Sequence, residues 1–368
     1  MHVLITADTL GGVWVYTREL VTGLVERGVR VTLVSLGRIP TREQTAWLDA
    51  FPSVDFRPTA FRLEWMQESA ADLERSTEYL SQLVREVQPD LLHLNQYCYG
   101  SLPGGVPRLV VAHSDVLSWW AAVHGEVLSG DAWLNWYRRI VTRGLSSATA
   151  VIAPSRWMLE QLSKHYVHVN HASVIYNGRS PAQFDPDGAK GDYVISVGRL
   201  WDPGKQVSLL AQCKLPVKTL IVGCESHPEE ALRSPGLRWS NPDVQCLGEQ
   251  SPEQLRDLFS RAALYAATSR YEPFGLAPLE AAFSRCAIVA NDIPSLREIW
   301  GDDACYFERD DAESLGATVA RLHSDPDLRQ RYADAAYQRA CRRYCAHRMV
   351  DQYLSLYETL VGAGVAAA

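Results

Sequence analysis

Short, wholly apolar runs alternate with amphipathic segments along almost the whole chain, and the alternation pauses and restarts near the middle. In the first half the strand-like runs are Val3–Thr6, Val29–Leu36, Asp90–Asn95, Arg108–His113, Thr149–Pro154 and Ser173–Tyr176. Between them lie helix-like stretches such as Val13–Glu26, closed by Gly28, and Ala70–Val87, closed near Pro89. Strands apolar on both faces and separated by helices are buried between helical layers, so they run parallel in a doubly wound sheet. The pattern resumes with Tyr193–Val197, Thr219–Val222, Val244–Leu247, Leu264–Ala267 and Ala287–Ala290. A helix is predicted to begin at Ser251-Pro252-Glu253-Gln254, a capping box with proline at the first helical position. Leu328–Arg343 and His347–Val361 are predicted helices. Asn177–Asp192, rich in Gly, Pro, Asp and Ser, reads as the linker between the halves.

A length of 368 residues suits two such α/β domains better than one core. The expected division is 1–178, 179–346 and a C-terminal helix, 347–368, packing back on the first domain. Two doubly wound domains would present the open ends of their sheets, where ligands of such folds sit, to a shared cleft. A net charge of -7 argues against nucleic acid as partner. Met1–Gly12 reads as a first strand and not as a signal peptide, and no apolar run is long enough for a membrane span. The eight cysteines form no C-x-x-C pair and suit a reduced, cytoplasmic setting. Cys341, Cys345 and His347 share a helical segment but lack a second ligand pair, so a helix face is the better reading than a metal site.

Three segments carry chemistry. In Tyr271-Glu272-Pro273-Phe274-Gly275-Leu276-Ala277-Pro278-Leu279-Glu280 a strand gives way to a helix. Pro273 keeps Glu272 in the loop, and Glu280 lies inside the helix. Carboxylates suit sugar and ribose hydroxyls, Gly275 permits close backbone approach, and the helix start favours an anion. A helix-dipole Glu and a solvated loop Glu explain the same residues about as well in isolation. In Val197-Gly198-Arg199-Leu200-Trp201-Asp202-Pro203-Gly204-Lys205 two cations share a short loop after a strand. Such a pair can balance the charge on a departing diphosphate, although an ordinary surface loop reads the same way alone. Gly11-Gly12, between the first strand and first helix, could turn backbone N–H groups toward a phosphate; it is equally a tight turn.

Together these residues resemble the retaining GT-B glycosyltransferases of family 4 (glycosyl transferases group 1). Glu272 and Glu280 match that family's Glu–seven residues–Glu motif, Arg199 and Lys205 its cation pair, and Gly11 and Gly12 its glycine pair. Pro89–His93, Val151–Ser155, Val174–Gly178 and Ser295–Glu298 extend the resemblance over nearly the whole chain. The resemblance implies a metal-independent hexosyl transfer with retention and no cofactor. A UDP- or GDP-sugar donor is the co-substrate, and the acceptor is a glycan, lipid or small molecule. It implies that Glu272 contacts the donor sugar, Glu280 the ribose, and Arg199 and Lys205 the diphosphate. Gly11, Gly12, Leu247, Gly248, Phe274, Gly275 and Leu276 complete the donor-binding set. His113 matches a histidine that approaches the donor sugar, with His113-Ser114-Asp115 standing where many members have His-Asp. Acceptor contacts are expected from the first domain, with Trp119, Trp120 and His124 as candidates, though aromatics there are first of all core. Peripheral membrane contact stays open. The triplets Asp185-Pro186-Asp187 and Asp325-Pro326-Asp327 read as linker and helix start, not as metal sites. Alternatives are another GT-B sugar-nucleotide enzyme, epimerase-like or glycogen-synthase-like, and a catalytically silent sugar-nucleotide-binding protein.

Overall fold

The computed structural model describes residues 1–126, 130–169, 171–227 and 243–367. The chain divides into two compact units. The first comprises Met1–Ala121, Glu126–Gly178 and Ala346–Ala368; the second comprises Ala122–Gly125 and Arg179–Cys345.

The first unit begins with β1 (His2–Asp8), α1 (Gly12–Glu26), β2 (Arg30–Leu36), the single turn α2 (Arg42–Thr45) and β3 (Asp55–Pro58). It continues through α3 (Ala70–Val87), β4 (Leu91–Leu94), β5 (Arg108–Val111), α4 (Val116–His124) and α5 (Ala132–Ser147). β6 (Ala150–Ala153), α6 (Arg156–His165) and β7 (Ala172–Val174) close it. Its seven strands are parallel, in the order β3-β2-β1-β4-β5-β6-β7.

The second unit runs β8 (Tyr193–Val197), α7 (Ser208–Gln212), β9 (Lys218–Val222), β10 (Val244–Cys246), α8 (Pro252–Arg261) and β11 (Leu264–Ala267). Then come α9 (Leu276–Phe283), β12 (Ala287–Asn291), α10 (Pro294–Trp300), β13 (Cys305–Phe307), α11 (Ala312–Ser324) and α12 (Pro326–Arg343). Its six parallel strands follow the order β10-β9-β8-β11-β12-β13. The last helix, α13 (Ala346–Ala367), belongs to the first unit, where Met349, Val350, Tyr353 and Tyr357 join the core under β1 and α1.

Both sheets change winding direction once, between β1 and β4 and between β8 and β11. The carboxyl ends of strands flanking such a switch open a crevice, which is where ligands bind in open α/β sheets.

The sequence reading missed β3 and β13. Both are edge strands; β3, Asp-Phe-Arg-Pro, has no apolar run, and β13, Cys-Tyr-Phe, is only three residues long. The expected strand Arg108–His113 ends at Val111, which puts His113 in the loop beyond β5. Ser251 does form the capping box that starts α8, and Asp325 caps α12 from its side chain. Asp185 accepts from the Asp187 backbone N–H, and Asp187 pairs with Arg285 at 3.0 Å, so both aspartate triplets have structural work. Cys345 Sγ donates to the Cys341 carbonyl at 2.7 Å, within the chain's own helix end. Among the described residues, no group of three His, Cys, Asp or Glu is placed to hold a metal ion.

Candidate active site

The second unit gathers its charged residues at the switch between β8 and β11. The loop after β8 rides on the loop after β9: Gly198 N–H donates to Val222 O and Leu200 N–H to Cys224 O. Gly223 makes this possible. Its φ is +147°, and a Cβ there would lie 1.7 Å from the Gly198 carbonyl oxygen. No side chain fits, and the sequence reading did not single Gly223 out. The loop is also tied to the one after β11, since Arg270 and Tyr271 both donate their N–H to Gly204 O.

On this frame Arg199 is held from two sides. Its Nη2 meets Asp202 Oδ2 at 2.6 Å, and its guanidinium lies over the Trp201 ring, 5.2 Å from the centroid. The second oxygen of the buried Asp202 accepts from Gly204 N–H, so one carboxylate fixes both the cation and the turn. Lys205 Nζ meets Glu272 Oε2 at 2.5 Å, and Ser269 Oγ donates to the same oxygen at 3.0 Å. Glu280, on α9, is 8% exposed and meets Arg179 Nε at 2.9 Å; Arg179 is 5% exposed. Arg179 is a further functional candidate that sequence reasoning missed, because it falls in the stretch read as linker. The sole hint was an arginine directly after Asn177-Gly178.

Gly275 caps α9 at φ +91°, where a Cβ would lie 2.7 Å from Pro278 and 3.1 Å from Glu272. Only glycine lets the chain turn into the helix while keeping Glu272 so close. Phe274 is buried edge-on to Tyr344, which leaves its backbone as the part able to meet a ligand; Leu276 opens α9. Leu247 N–H donates to Ile221 O, and Gly223 N–H to Gly248 O, which seats the Leu247-Gly248 turn beside the loop after β9.

The first unit brings a different set to its own switch point. Gly11 is the N-cap of α1, exposed, and a Cβ there would meet nothing within 4 Å; Gly12 begins the helix. The turn before them is held by Thr9, whose hydroxyl accepts from Arg38 N–H and has the Leu36 and Arg38 carbonyls as acceptors within reach of its one hydrogen. His113 Nε2 lies 2.8 Å from Asn95 Oδ1, and the Tyr16 ring stands edge-on at 4.5 Å between centroids. Desolvation holds the His113 pKa down to about 3, so the ring is neutral near pH 7. Beneath it His93, also held to about 3 by burial and then by His113, meets Tyr16 at 3.3 Å and Tyr357 of α13 at 2.6 Å.

Asp115 does not extend this group. It caps α4, accepting from Ser118 N–H and Tyr166 OH, each at 2.8 Å, and burial pushes its carboxyl pKa up. Trp119 and Trp120 lie on α4, half-buried, with ring centroids 6.2 Å apart. His124 ends α4, is exposed, and is counted with the second unit. Residues 127–129 of the aromatic-rich stretch 117–143 lie outside the described residues.

The sequence matches two family descriptions: Glycosyltransferase Family 4 over residues 10–183 and Glycosyl transferases group 1 over residues 188–339. The alpha-maltose-1-phosphate synthase of Mycolicibacterium smegmatis is 26% identical over 70% of this chain and 74% of its own length. The O-antigen chain mannosyltransferase RfbU of Salmonella typhimurium is 26% identical over 54% of this chain and 57% of its own. Among solved structures, the sucrose-phosphate synthase of Thermosynechococcus elongatus superposes with a TM-score of 0.79 at 19% identity, covering 99% of this chain and 100% of that one. Anabaena HepE, solved with UDP and glucose, gives 0.74 at 16% identity, covering 98% and 100%. These likenesses identify the fold as GT-B, with two Rossmann-like domains. The chain belongs to glycosyltransferase family 4, and it is a glycosyltransferase.

Proposed function

We propose that the chain transfers a hexose from a nucleoside-diphosphate sugar to a glycan, lipid or small-molecule acceptor, with retention at the anomeric carbon and without a divalent metal. The carrying observation is the cluster of Arg199, Lys205 and Glu272 on loops locked together at one switch point. A leaving diphosphate gains negative charge as the glycosidic bond breaks, and fixed cations stabilise it. Arg199 is pre-aimed by Asp202 and Trp201, and its planar fork suits two phosphate oxygens. Lys205 supplies a point charge once the diphosphate replaces Glu272 as its partner. Glu272, so released, accepts from sugar hydroxyls, and Glu280 accepts from the ribose.

The reading takes His113 and the Gly11-Gly12 turn in the first unit, and the backbone of Leu247, Gly248, Phe274, Gly275 and Leu276 in the second, as donor-binding residues. Relatives named as a maltose-1-phosphate synthase and as mannosyltransferases support a hexose as the group moved. Both motif carboxylates already have partners, and the leaving oxygen is held where it can accept the acceptor's proton. Front-face departure and attack therefore suit the site better than a covalent glycosyl-enzyme.

The test is proton NMR of the anomeric signal of the product, formed in chelator. A retained configuration is expected. An inverted linkage, or turnover that chelator abolishes and magnesium or manganese restores, contradicts the reading.

A further inference from the structure

Asn95 stands one residue past β4, at the carboxyl end of a strand that flanks the first unit's switch point. It is buried, and its backbone N–H donates to Thr6 Oγ1 at 3.1 Å. The two ends of its amide meet different partners. Nδ2 lies 2.6 Å from the Thr6 carbonyl oxygen, and Oδ1 lies 2.8 Å from His113 Nε2. A carbonyl oxygen can only accept, so the amide nitrogen must face Thr6. The reverse orientation would set two oxygens against each other at hydrogen-bond distance.

That fixes the other end. Oδ1 cannot donate, so the hydrogen between Asn95 and His113 belongs to Nε2. The half-buried ring is uncharged near neutrality, because desolvation disfavours its cation, and carries one N–H only. Its Nδ1 is then a bare acceptor, and among the described residues it makes no hydrogen bond. The ring plane is braced by Tyr16, itself buried against His93 and Tyr353.

We propose that Asn95 is a positioning residue: it holds His113 in the Nε2–H tautomer and so presents Nδ1 as an acceptor for a hydroxyl group of the transferred sugar. The sugar as ligand rests on the glycosyl-transfer reading above; the tautomer does not. In this arrangement His113 neither gives nor takes a proton during transfer. It supplies a fixed lone pair, and Asn95 keeps that lone pair from being occupied by the ring's own hydrogen.

The test uses the full chain labelled with 15N-histidine and free of ligand. Long-range proton–nitrogen spectra report which ring nitrogen is protonated, and the His113 signals are those lost in His113→Gln. Wild type is expected to show a neutral ring with hydrogen on Nε2 from about pH 8 down to about pH 5. Asn95→Leu removes the acceptor and is expected to populate both tautomers. Asn95→Asp keeps the acceptor toward His113, and so the Nε2–H form, at a cost in stability because its second oxygen faces the Thr6 carbonyl; its charge lifts the pH at which the ring titrates. With any turned-over nucleotide sugar, Asn95→Leu lowers kcat/KM about tenfold, chiefly in kcat. Asn95→Asp restores most of that loss above the ring's raised pKa. A wild-type His113 protonated on Nδ1, or charged at pH 7, overturns the proposal. So does an Asn95→Leu spectrum identical to wild type. Should Asn95→Leu not fold, the wild-type and Asn95→Asp spectra decide alone. The transfer reading fails separately, if wild type shows the Nε2–H form yet releases no nucleoside diphosphate from any nucleotide sugar.

Discussion

Among the ion pairs of the second unit, those of the candidate site are Arg199 with Asp202, Lys205 with Glu272, and Arg179 with Glu280. At the first unit's switch point the candidate group, His113, is neutral. His113 is hydrogen-bonded to an amide, flanked by a tyrosine, and too desolvated to take a proton near pH 7. The two halves solve different problems. On the proposed reading an entering diphosphate displaces Glu272 from Lys205, while Asp202 goes on holding Arg199 and Arg179 goes on holding Glu280. On the same reading the neutral His113 needs no exchange, because oriented dipoles act without reorganisation when charge develops.

Removing the exchanging carboxylate breaks the comparison most strongly. Glu272→Ala is expected to lower kcat by about 100-fold to 1,000-fold, the range for loss of one pre-aimed polar group. Free nucleoside-diphosphate affinity is expected to hold or rise, since Lys205 loses its competing partner. Calorimetric titration beside steady-state kinetics checks both, and an equal loss in each contradicts the exchange.

Arg179 and Glu280 are both nearly buried, so breaking that pair strands a charge. Arg179→Leu is expected to cost about 3 kcal/mol of stability, and also nucleotide affinity, read by denaturant unfolding and titration. A variant as stable as wild type would show that the pair does not hold Glu280.

The neutral half makes a pH prediction. His93 is fully buried, with a folded pKa of about 3 against an unfolded value near 6.5. Between those values the unfolded chain binds the proton and the folded chain does not. Stability is therefore intact above about pH 6.5 and falls on acidification, by about 1.4 kcal/mol per pH unit for this one ring. His93→Gln should flatten that acid slope relative to wild type, measured as unfolding free energy from pH 7 to pH 4. An unchanged slope would mean that the ring takes up its proton in the fold.

The smallest effect concerns α4. Trp119→Ala is expected to raise the acceptor KM several-fold, about 1 kcal/mol of stacking, and leave donor hydrolysis unchanged. Loss of donor hydrolysis would move Trp119 from acceptor contact to core support.

Much of this was legible before the fold was known, and the gaps have physical causes. Alternating apolar runs were enough to expect two parallel sheets, because strands buried on both faces write that pattern directly. β3 escaped because Asp55, Arg57 and Pro58 break its apolar pattern, and β13 because three residues are too few to write one; the edge strands β7 and β10 were legible. Glu272, Glu280, Arg199 and Lys205 stood out as chemical types at telling spacings. Their partners did not. Asp202 reads as a turn residue, Arg179 as linker, and Asn95 as the polar end of a strand, until the sheets bring them against their targets. Gly223 is likewise one glycine among 24 until its missing Cβ is seen to admit the Gly198 carbonyl.

The central claim is that paired cations in the second unit take over a leaving diphosphate from a nucleotide sugar. The most direct measurement is release of nucleoside diphosphate from a panel of UDP- and GDP-hexoses in chelator, by wild type and by Lys205→Ala. The account predicts release by wild type with at least one donor and loss of about 100-fold or more in Lys205→Ala. No release from any donor, or release that Lys205→Ala leaves untouched, would contradict it.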